Sequence, residues 1–475
     1  MKRNGKRIIA WFLVMVFAFT MLTGCGAEKN EATDVKTEEA ASEEISDTAT
    51  TSTTEATDDA AEADVDGGSM DTMEVGSAER ESSSSSDEYK IMEDSVSEGG
   101  GADDIAPEEP AVNEIKAEAG VLTAGEWNDN ENWGYYKNLF SKDSEYNSFQ
   151  KTFGMDFTRR LEVSVTDGGK PVSMAKVELF DTEGEFIWAS YTNPAGAAYV
   201  FYRVQENDSA IPNQIIVSKG GQSKVVDLAV TIEDNDKDRD SDDANGRKEE
   251  ISLETSYTVE LTDRELPKKL DLMFMVDTTG SMGDEITYLQ EELKDVVSHV
   301  KKDNGNLPIR ISMNFYKDTD EEDPYVVSAN DFTENVDEAQ ALLNAEYASG
   351  GGDFPEAVAQ ALENAVDEHE WDEDSVKVMI LVLDAPPHEG TDKQLYEALQ
   401  KASRKGIRII PVASSGIDKP TEFFLRAAGI ATGGTYTFLT DDSGVGGSHI
   451  EPTIGDYEVE KLNDLLVRVI TEYLK

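Results

Sequence analysis

The chain has 475 residues, with 98 Asp and Glu against 42 Lys and Arg, so its formal net charge is −56. Such an acidic balance argues against a nucleic-acid partner, because nucleic acids are bound by positive surface and by the release of counterions. One cysteine excludes a disulfide framework and a Cys-x-x-Cys redox motif, and four scattered histidines show no metal-ligand spacing. Hydrophobic residues make up 38% of the chain, which indicates that part of its length does not fold.

Residues 1–24 have the pattern of an export signal. A basic start is followed by an apolar run from Ile8 to Leu22, which is too short for a membrane helix but typical of a signal-peptide core. The next residues, Leu-Thr-Gly-Cys ending at Cys25, resemble the lipobox of bacterial lipoproteins. That resemblance implies that Cys25 is acylated, becomes the mature N-terminus and anchors the chain on the extracytoplasmic face of the cell membrane. An ordinary signal peptide with an incidental cysteine is the alternative.

Residues 25–120 are predicted to be the acylated cysteine and a disordered acidic linker. From residue 26 to 120 there are 29 Asp and Glu, 5 Lys and Arg, and a single aromatic residue, Tyr89. Such a segment buries too little apolar surface to offset its ordering entropy, and its charges repel one another. It either lifts a binding domain off the membrane or is a linker with no length requirement.

Residues 121–157 bring a sudden cluster of aromatic side chains. Its first six members are Trp127, Trp133, Tyr135, Tyr136, Phe140 and Tyr146. We expect the cluster to dock on the following domain, because exposed aromatic patches of this size are usually covered. A surface on which sugars stack is the alternative.

Residues 158–232 are predicted to form a small all-β sandwich, because short alternating runs are separated by turn residues without a helical period. The elements Gly-Lys-Pro-Val-x-x-Ala-x-Val, from Gly169, and Thr-Asn-x-x-Gly-x-Ala, from Thr192, resemble carboxypeptidase regulatory-like and collagen-binding B-type domains. The resemblance implies a structural stalk. Residues 233–265 are predicted to be an acidic linker and connecting strand, since the Asp residues there lack the glycine and bidentate acid of a calcium loop.

In residues 266–475 apolar runs of strand length alternate with amphipathic helices. The predicted strands cover 270–276, 309–316, 376–383 and 407–412, and predicted helices cover 355–368, 393–405 and 457–474. This order predicts right-handed β-α-β units in a Rossmann-like, doubly wound α/β fold with an open parallel sheet. Ligands of such sheets bind at the carboxyl ends of the strands.

Oxygen-bearing loops follow three of these runs. The first carries Asp277, Thr279 and Ser281 on one side of a tight turn, and the third begins at Asp384. The second is the Gly-rich segment that contains Asp353. An all-oxygen set with neutral hydroxyls suits a hard divalent cation, Mg²⁺ or Ca²⁺, that keeps an open position. Helix capping without a metal is the alternative.

These loops resemble the metal-ion-dependent adhesion site (MIDAS) of the von Willebrand factor type A (VWFA) domain, over residues 268–475. The resemblance implies that Thr279 and Ser281 are hydroxyl ligands and that Asp277 and Asp384 act through water. The second loop of that family usually supplies a Thr, whereas this chain has Asp353, which either binds the metal or caps the next helix.

No catalytic residue is predicted. Asp-Thr-Thr-Gly-Ser differs from the aspartic-protease motif and has no second copy, and no nucleophile elbow or phosphate-binding loop occurs. We therefore expect a cell-surface binding protein without enzymatic activity, whose VWFA domain binds a protein or extracellular matrix ligand. The alternative is an envelope-anchored accessory or assembly factor that holds a partner complex.

Overall fold

The computed structural model describes residues 117–233, 250–305, 307–319 and 323–475. The predicted signal peptide, the lipidation site at Cys25 and nearly all of the acidic linker lie outside the described residues. The described residues all belong to one structural unit, Ala106–Lys475. Within them, no helix is both long and apolar enough to cross a membrane.

The aromatic segment, residues 121–157, folds into one strand and two short helices. These are β1 (Thr123–Trp127), α1 (Trp133–Asn138) and α2 (Tyr146–Phe153). The start of β1 is held by Glu292, whose buried carboxylate accepts hydrogen bonds of 2.8–3.1 Å from three successive backbone N–H groups, those of Gly120, Val121 and Leu122. A carboxylate that accepts several backbone bonds is well satisfied although it is buried.

The middle region contains two four-stranded sheets. Its strands are β2 (Arg160–Asp167), β3 (Lys170–Pro171), β4 (Lys176–Asp181), β5 (Phe186–Tyr191), β6 (Ala197–Phe201), β7 (Pro212–Lys219), β8 (Gln222–Asp227), β9 (Thr231–Glu233), β10 (Glu250–Ser252) and β11 (Ser256–Glu260). One sheet has the order β11-β2-β3 with β6 beside β2, and the other has the order β5-β4-β7-β8. β9 and β10 form a separate two-stranded pair. Trp188, fully buried, packs edge-to-face against the rings of Phe157 and Phe201 in the core that the two sheets share.

The C-terminal region is built on one large sheet. Its remaining strands are β12 (Leu270–Asp277), β13 (Ile309–Tyr316), β14 (Val327–Ser328), β15 (Val376–Leu383), β16 (Ile407–Ala413), β17 (Tyr436–Leu439) and β18 (Glu460–Lys461). The order is β14-β13-β12-β15-β16-β17-β1-β18. The four strands predicted from the apolar runs are confirmed, because parallel strands covered on both faces are continuously apolar.

The sheet is mixed, so the prediction of a parallel sheet is only partly right. The five central strands β13, β12, β15, β16 and β17 run parallel, whereas β14, β1 and β18 pair antiparallel at the two sides. The antiparallel strands are short or lie far away in the sequence, and their pairing depends on contacts that no local pattern specifies.

Helices cover both faces of this sheet, as a doubly wound fold requires. They are α3 (Ile286–Asp303), α4 (Val336–Ala345), α5 (Val358–Asp367), α6 (Asp392–Lys405), α7 (Lys419–Thr432) and α8 (Leu462–Tyr473), with 3₁₀ turns at Gly280–Asp284 and Asp441–Ser443. Alternate residues of β12 face opposite sides: Met273 and Met275 join the core under α5–α7, and Leu272 and Phe274 join the core under α3, α4 and α8.

Two sets of contacts attach the aromatic segment and the middle region to this domain. Asp129 of the aromatic segment accepts hydrogen bonds of 2.9 and 2.6 Å from Arg426 of α7, and both side chains are buried. From the other side, Gln400 of α6 donates a 2.9 Å hydrogen bond to the Ile187 carbonyl, and Arg408 donates one of 3.0 Å to the Thr192 carbonyl of the middle region. The aromatic segment and the middle region therefore support the C-terminal domain, which carries the loops at the strand ends. We call this domain the head.

Candidate metal centre

The first loop begins where the buried strand β12 ends. Asp277 is fully buried, and its Oδ1 accepts hydrogen bonds from the Thr279 backbone N–H at 2.9 Å and from the Thr279 hydroxyl at 2.7 Å. The Thr279 and Ser281 hydroxyl oxygens are 3.2 Å apart. Ser281 is exposed, so the oxygen cluster is open to solvent on its side. The three first-loop residues predicted from the sequence are thus brought together.

Backbone hydrogen bonds hold the three loops in register. The N–H of Gly280 donates to the Gly350 carbonyl at 3.0 Å, and the N–H of Ser349 donates to the Thr278 carbonyl at 3.0 Å. The second and third loops are joined by a 2.9 Å bond from the Glu356 N–H to the Pro386 carbonyl. Main-chain hydrogen bonds therefore link the first loop to the second and the second loop to the third.

Lys317 places a buried ammonium group beside this cluster. It follows β13 and is 2% exposed, and its Nζ donates to the carbonyl oxygens of Thr278 at 2.5 Å and Ser349 at 2.7 Å. Burial lowers the pKa of the Lys317 ammonium, and the carboxylates of Asp323, Glu346, Asp277 and Glu356 oppose that change. The ammonium fastens the first loop to the second while partly balancing the charge of the site.

Glu356, rather than Asp353, is the second-loop acid that the structure brings to the cluster. Glu356 is 3% exposed and lies against Thr279, whereas Asp353 is exposed. The helix predicted over 355–368 places Glu356 in its first turn. For that reason the sequence does not identify Glu356 as a candidate ligand. In the structure α5 begins later, at Val358, and Glu356 belongs to the loop. An acid so close to a Gly-rich run is the sequence signal that could have identified it.

The third loop supplies Asp384 and covers a neighbouring acid. Asp384 directly follows β15 and is 3% exposed. Burial raises the pKa of its carboxyl group, and a hydrogen bond with the Ser281 side chain opposes that rise. Further along this loop, the His388 Nε2 is 2.5 Å from the Oδ1 of Asp318, which follows β13. His388 therefore partners Asp318, and Asp384 is left facing the first loop.

Burial raises the pKa of each of the three carboxyl groups, and the charges of neighbouring carboxylates add to the rise for Asp384 and Glu356. Burial raises the pKa of Asp277 to about 6, while the Thr279 hydroxyl and N–H oppose the rise. Burial, and next the charge of Asp277, raise the pKa of Asp384 to about 7. Burial, and then the charges of Asp277 and Asp318, raise the pKa of Glu356 to about 9. Each group lacks a compensating positive charge in direct contact.

The donor set fits a hard divalent cation. One oxygen of each carboxyl group, namely Asp277 Oδ2, Glu356 Oε2 and Asp384 Oδ1, is buried without a hydrogen-bond partner, although buried polar atoms are normally satisfied. The Thr279 and Ser281 hydroxyls complete an all-oxygen set of the kind that Mg²⁺ and Ca²⁺ prefer. Among the described residues, no group of three or more His, Cys, Asp or Glu is close enough to form a metal site of those residues alone. A site here would therefore need the hydroxyls and water.

Gly351 makes room for this arrangement. Its φ is +98°, and a Cβ at that position would lie 2.8 Å from Glu356 Oε1 and 2.9 Å from Thr279 Cβ. Contacts below 3.0 Å force neighbouring atoms to move, so a side chain here would push the second loop away from the first.

Gly351→Ala is expected to lower the free energy of unfolding by about 2–4 kcal/mol, because backbone strain at positive φ adds to overpacking. Gly390→Ala is the matched control, since Gly390 also has a positive φ, +81°, but a Cβ added there would meet nothing within 4 Å. The control should lose only about 1–2 kcal/mol. Urea unfolding of both variants measures the difference, and equal losses would contradict the role assigned to Gly351.

Residues of the C-terminal region match a known domain family. Residues 271–441 match the family model of the von Willebrand factor A domain. An ariadne-like RING finger protein of Acanthamoeba polyphaga mimivirus is 32% identical over 119 residues, which are 25% of this chain and 11% of that protein. The chain therefore spans about a tenth of that relative's length.

Solved structures with a similar region come from two Bacteroides species. The conserved hypothetical protein BatB of Bacteroides thetaiotaomicron has 13% identity and a TM-score of 0.30, covering 43% of this chain and 98% of that one. An aerotolerance-related membrane protein of Bacteroides fragilis has 13% identity and a TM-score of 0.27, with the same coverage. By the family match and by its mixed sheet with helices on both faces, the C-terminal region of this chain contains a von Willebrand factor A domain.

Proposed function

We propose that this chain is a lipid-anchored cell-surface protein that binds a protein or matrix ligand through a divalent cation, Mg²⁺ or Ca²⁺, held in its VWFA domain. The observation that carries the proposal is the meeting of two hydroxyls and three buried carboxyl groups at the ends of the strands, with one unpartnered oxygen on each carboxyl group. Thr279, Ser281, Asp277 and Asp384 would hold the cation, with an acid from the second loop. When bound, the cation offers an open coordination position to an oxygen of the partner.

Two exposed aromatic side chains beside the site support a protein ligand. Tyr347 is 71% exposed and Phe354 is 47% exposed, and they stand on either side of the glycines of the second loop. Large apolar side chains are costly to expose, and aromatic residues are enriched at the centres of protein interfaces. Their place in the sequence on either side of a loop that is bonded to the first loop favours a partner that contacts the cation and the rings together.

The rest of the proposal concerns the anchor and the absence of catalysis. The Leu-Thr-Gly-Cys sequence at Cys25 supports acylation and attachment to the extracytoplasmic face of the cell membrane, with the acidic linker as a spacer. Of the two hydroxyls beside the three carboxyl groups, that of Thr279 donates to Asp277 and lies 3.2 Å from that of Ser281. We propose a binding role for these groups and no enzymatic one.

Asp277→Ala is expected to remove the dependence of stability on metal. Metal bound only to the folded state stabilises it by about 2.7 kcal/mol at a hundredfold excess over its dissociation constant. Thermal melts of the full chain with EDTA and with millimolar Mg²⁺ or Ca²⁺ should differ for the wild type and coincide for the variant. Fragments that begin at residue 266 are unsuitable because they lack β1 of the sheet. A wild type whose melts coincide would rule out the metal centre.

Phe354→Ser is expected to reduce capture of the ligand at least tenfold, which corresponds to about 1.4 kcal/mol, without changing the metal-dependent shift in melting. Leu266→Ser is the control, because Leu266 is 51% exposed but lies between β11 and β12, far in the sequence from the second loop. Quantitative pull-downs from intact cells, with and without EDTA, provide the measurement. Capture of an envelope complex of the same cell, insensitive to both EDTA and Phe354→Ser, would favour an accessory or assembly factor instead.

Cys25→Ser is expected to abolish acylation, since the chain has one cysteine. The variant should accumulate as unprocessed precursor or be released from the membrane. Metabolic labelling with a fatty-acid probe, followed by fractionation, tests this, and label retained on the serine variant would refute the lipid anchor.

A further inference from the structure

The second loop offers two acids to the first, and only one of them is placed to bind a cation. We infer that Glu356, and not Asp353, is the second-loop ligand to the divalent cation and holds it before any partner arrives. The inference rests on the proposed metal centre and adds to it the residue that fills the place where the resemblance implies a Thr.

The position of Glu356 is fixed from both sides. Its backbone N–H donates to the Pro386 carbonyl at 2.9 Å, and the residue forms a parallel bridge with Pro387 of the third loop. Its Oε1 lies beside Gly351 and Thr279, where an added Cβ on the glycine would come within 2.8 Å of it. Burial raises the pKa of Glu356 and a side-chain hydrogen bond with Thr279 opposes the rise, so the carboxyl group lies at the hydroxyl that Asp277 also contacts.

A purely structural role does not account for this side chain. Glu356 is 3% exposed, yet its Oε2 has no hydrogen-bond partner. A buried structural glutamate is expected to have both oxygens satisfied, because an unpartnered buried polar atom costs about 1–3 kcal/mol. Asp277 Oδ2 and Asp384 Oδ1 are unpartnered in the same cluster, and a cation together with its bound water molecules would satisfy these oxygens along with Glu356 Oε2.

Asp353 lacks each of these features. It is exposed, as are its neighbours Gly352 and Phe354, and none of the hydrogen bonds described for the cluster involves it. The loop thus turns Asp353 and Phe354 toward solvent and Glu356 toward the first loop. Capping of α5 by Asp353 is not seen either, because that helix begins at Val358 and its N-cap position, Ala357, has no side-chain hydrogen bond.

A carboxylate in the second loop determines whether the chain can bind the cation before a partner arrives. Asp277, Glu356 and Asp384 together carry three formal negative charges, more than the two positive charges of the cation, and Lys317 is engaged with carbonyl oxygens. A neutral hydroxyl in place of Glu356 would leave the cation with residual charge for a partner's carboxylate to balance. With Glu356 present, the chain retains its cation without help from the partner.

The test is metal binding by the full chain in the absence of any partner. Glu356→Gln keeps the shape of the side chain and removes its charge, and Asp353→Asn is the matched control three residues away on the same loop. Calorimetric titration with Mg²⁺, Ca²⁺ and Mn²⁺ should give a dissociation constant at least tenfold higher for Glu356→Gln and within twofold of wild type for Asp353→Asn. Melting in EDTA verifies that both variants are folded.

A second measurement needs no folded variant. Chain labelled with ¹³C only at glutamate carboxyl groups should show hyperfine coupling between bound Mn²⁺ and ¹³C, because the other acids of the cluster are aspartates. Glu285, the other glutamate near Asp384, already accepts hydrogen bonds from the Ser415 N–H at 3.1 and 3.3 Å. Wild type without any bound metal would overturn the metal centre itself. Wild type that binds metal, but without ¹³C coupling or with unchanged affinity in Glu356→Gln, would overturn only the role of Glu356.

Discussion

The structure of the head depends on the burial of three carboxyl groups at the carboxyl ends of the strands of the main sheet. Asp277 is the last residue of the buried strand β12, Asp384 directly follows the buried strand β15, and Glu356 comes from the second loop. Carboxylates so close to one another raise the free energy of the folded state unless positive charge compensates them. Lys317 supplies part of that charge, and the backbone bonds among the loops hold the groups together despite their repulsion.

The main sheet and its helices include contacts from outside the VWFA domain. β1 pairs with β17, so a strand from the aromatic segment lies inside the sheet order and β18 beyond it. The buried Asp129–Arg426 pair attaches the same segment to α7. Removing one partner of a buried ion pair typically costs about 3–5 kcal/mol, because the other charge remains buried and unpaired. The aromatic segment therefore acts as part of the head, with its rings packed around Phe423 of α7.

The parts of this structure that the sequence predicts are those determined by local pattern. β12, β13, β15 and β16 are predictable because buried parallel strands are continuously apolar, and Asp277 and Asp384 because they end such runs. β1 is not predictable as part of the sheet, since its partner lies at the other end of the chain. Glu356 escapes prediction for a related reason: the direction of a side chain in a Gly-rich loop depends on positive φ values and on bonds to the third loop.

The second loop combines two roles that opposite orientations of its side chains keep separate. Phe354 faces solvent, while Glu356, two residues later, is buried beside Thr279. In the proposed function, the free energy from covering the exposed ring is gained only when a partner arrives, whereas the inferred contact between Glu356 and the cation would exist before that encounter. The ring would then contribute affinity for the partner separately from the metal centre, so changes in partner specificity need not alter that centre. Ser281 is exposed, and its hydroxyl contacts that of Thr279, so it is the residue of the proposed metal centre that a partner can reach from solvent.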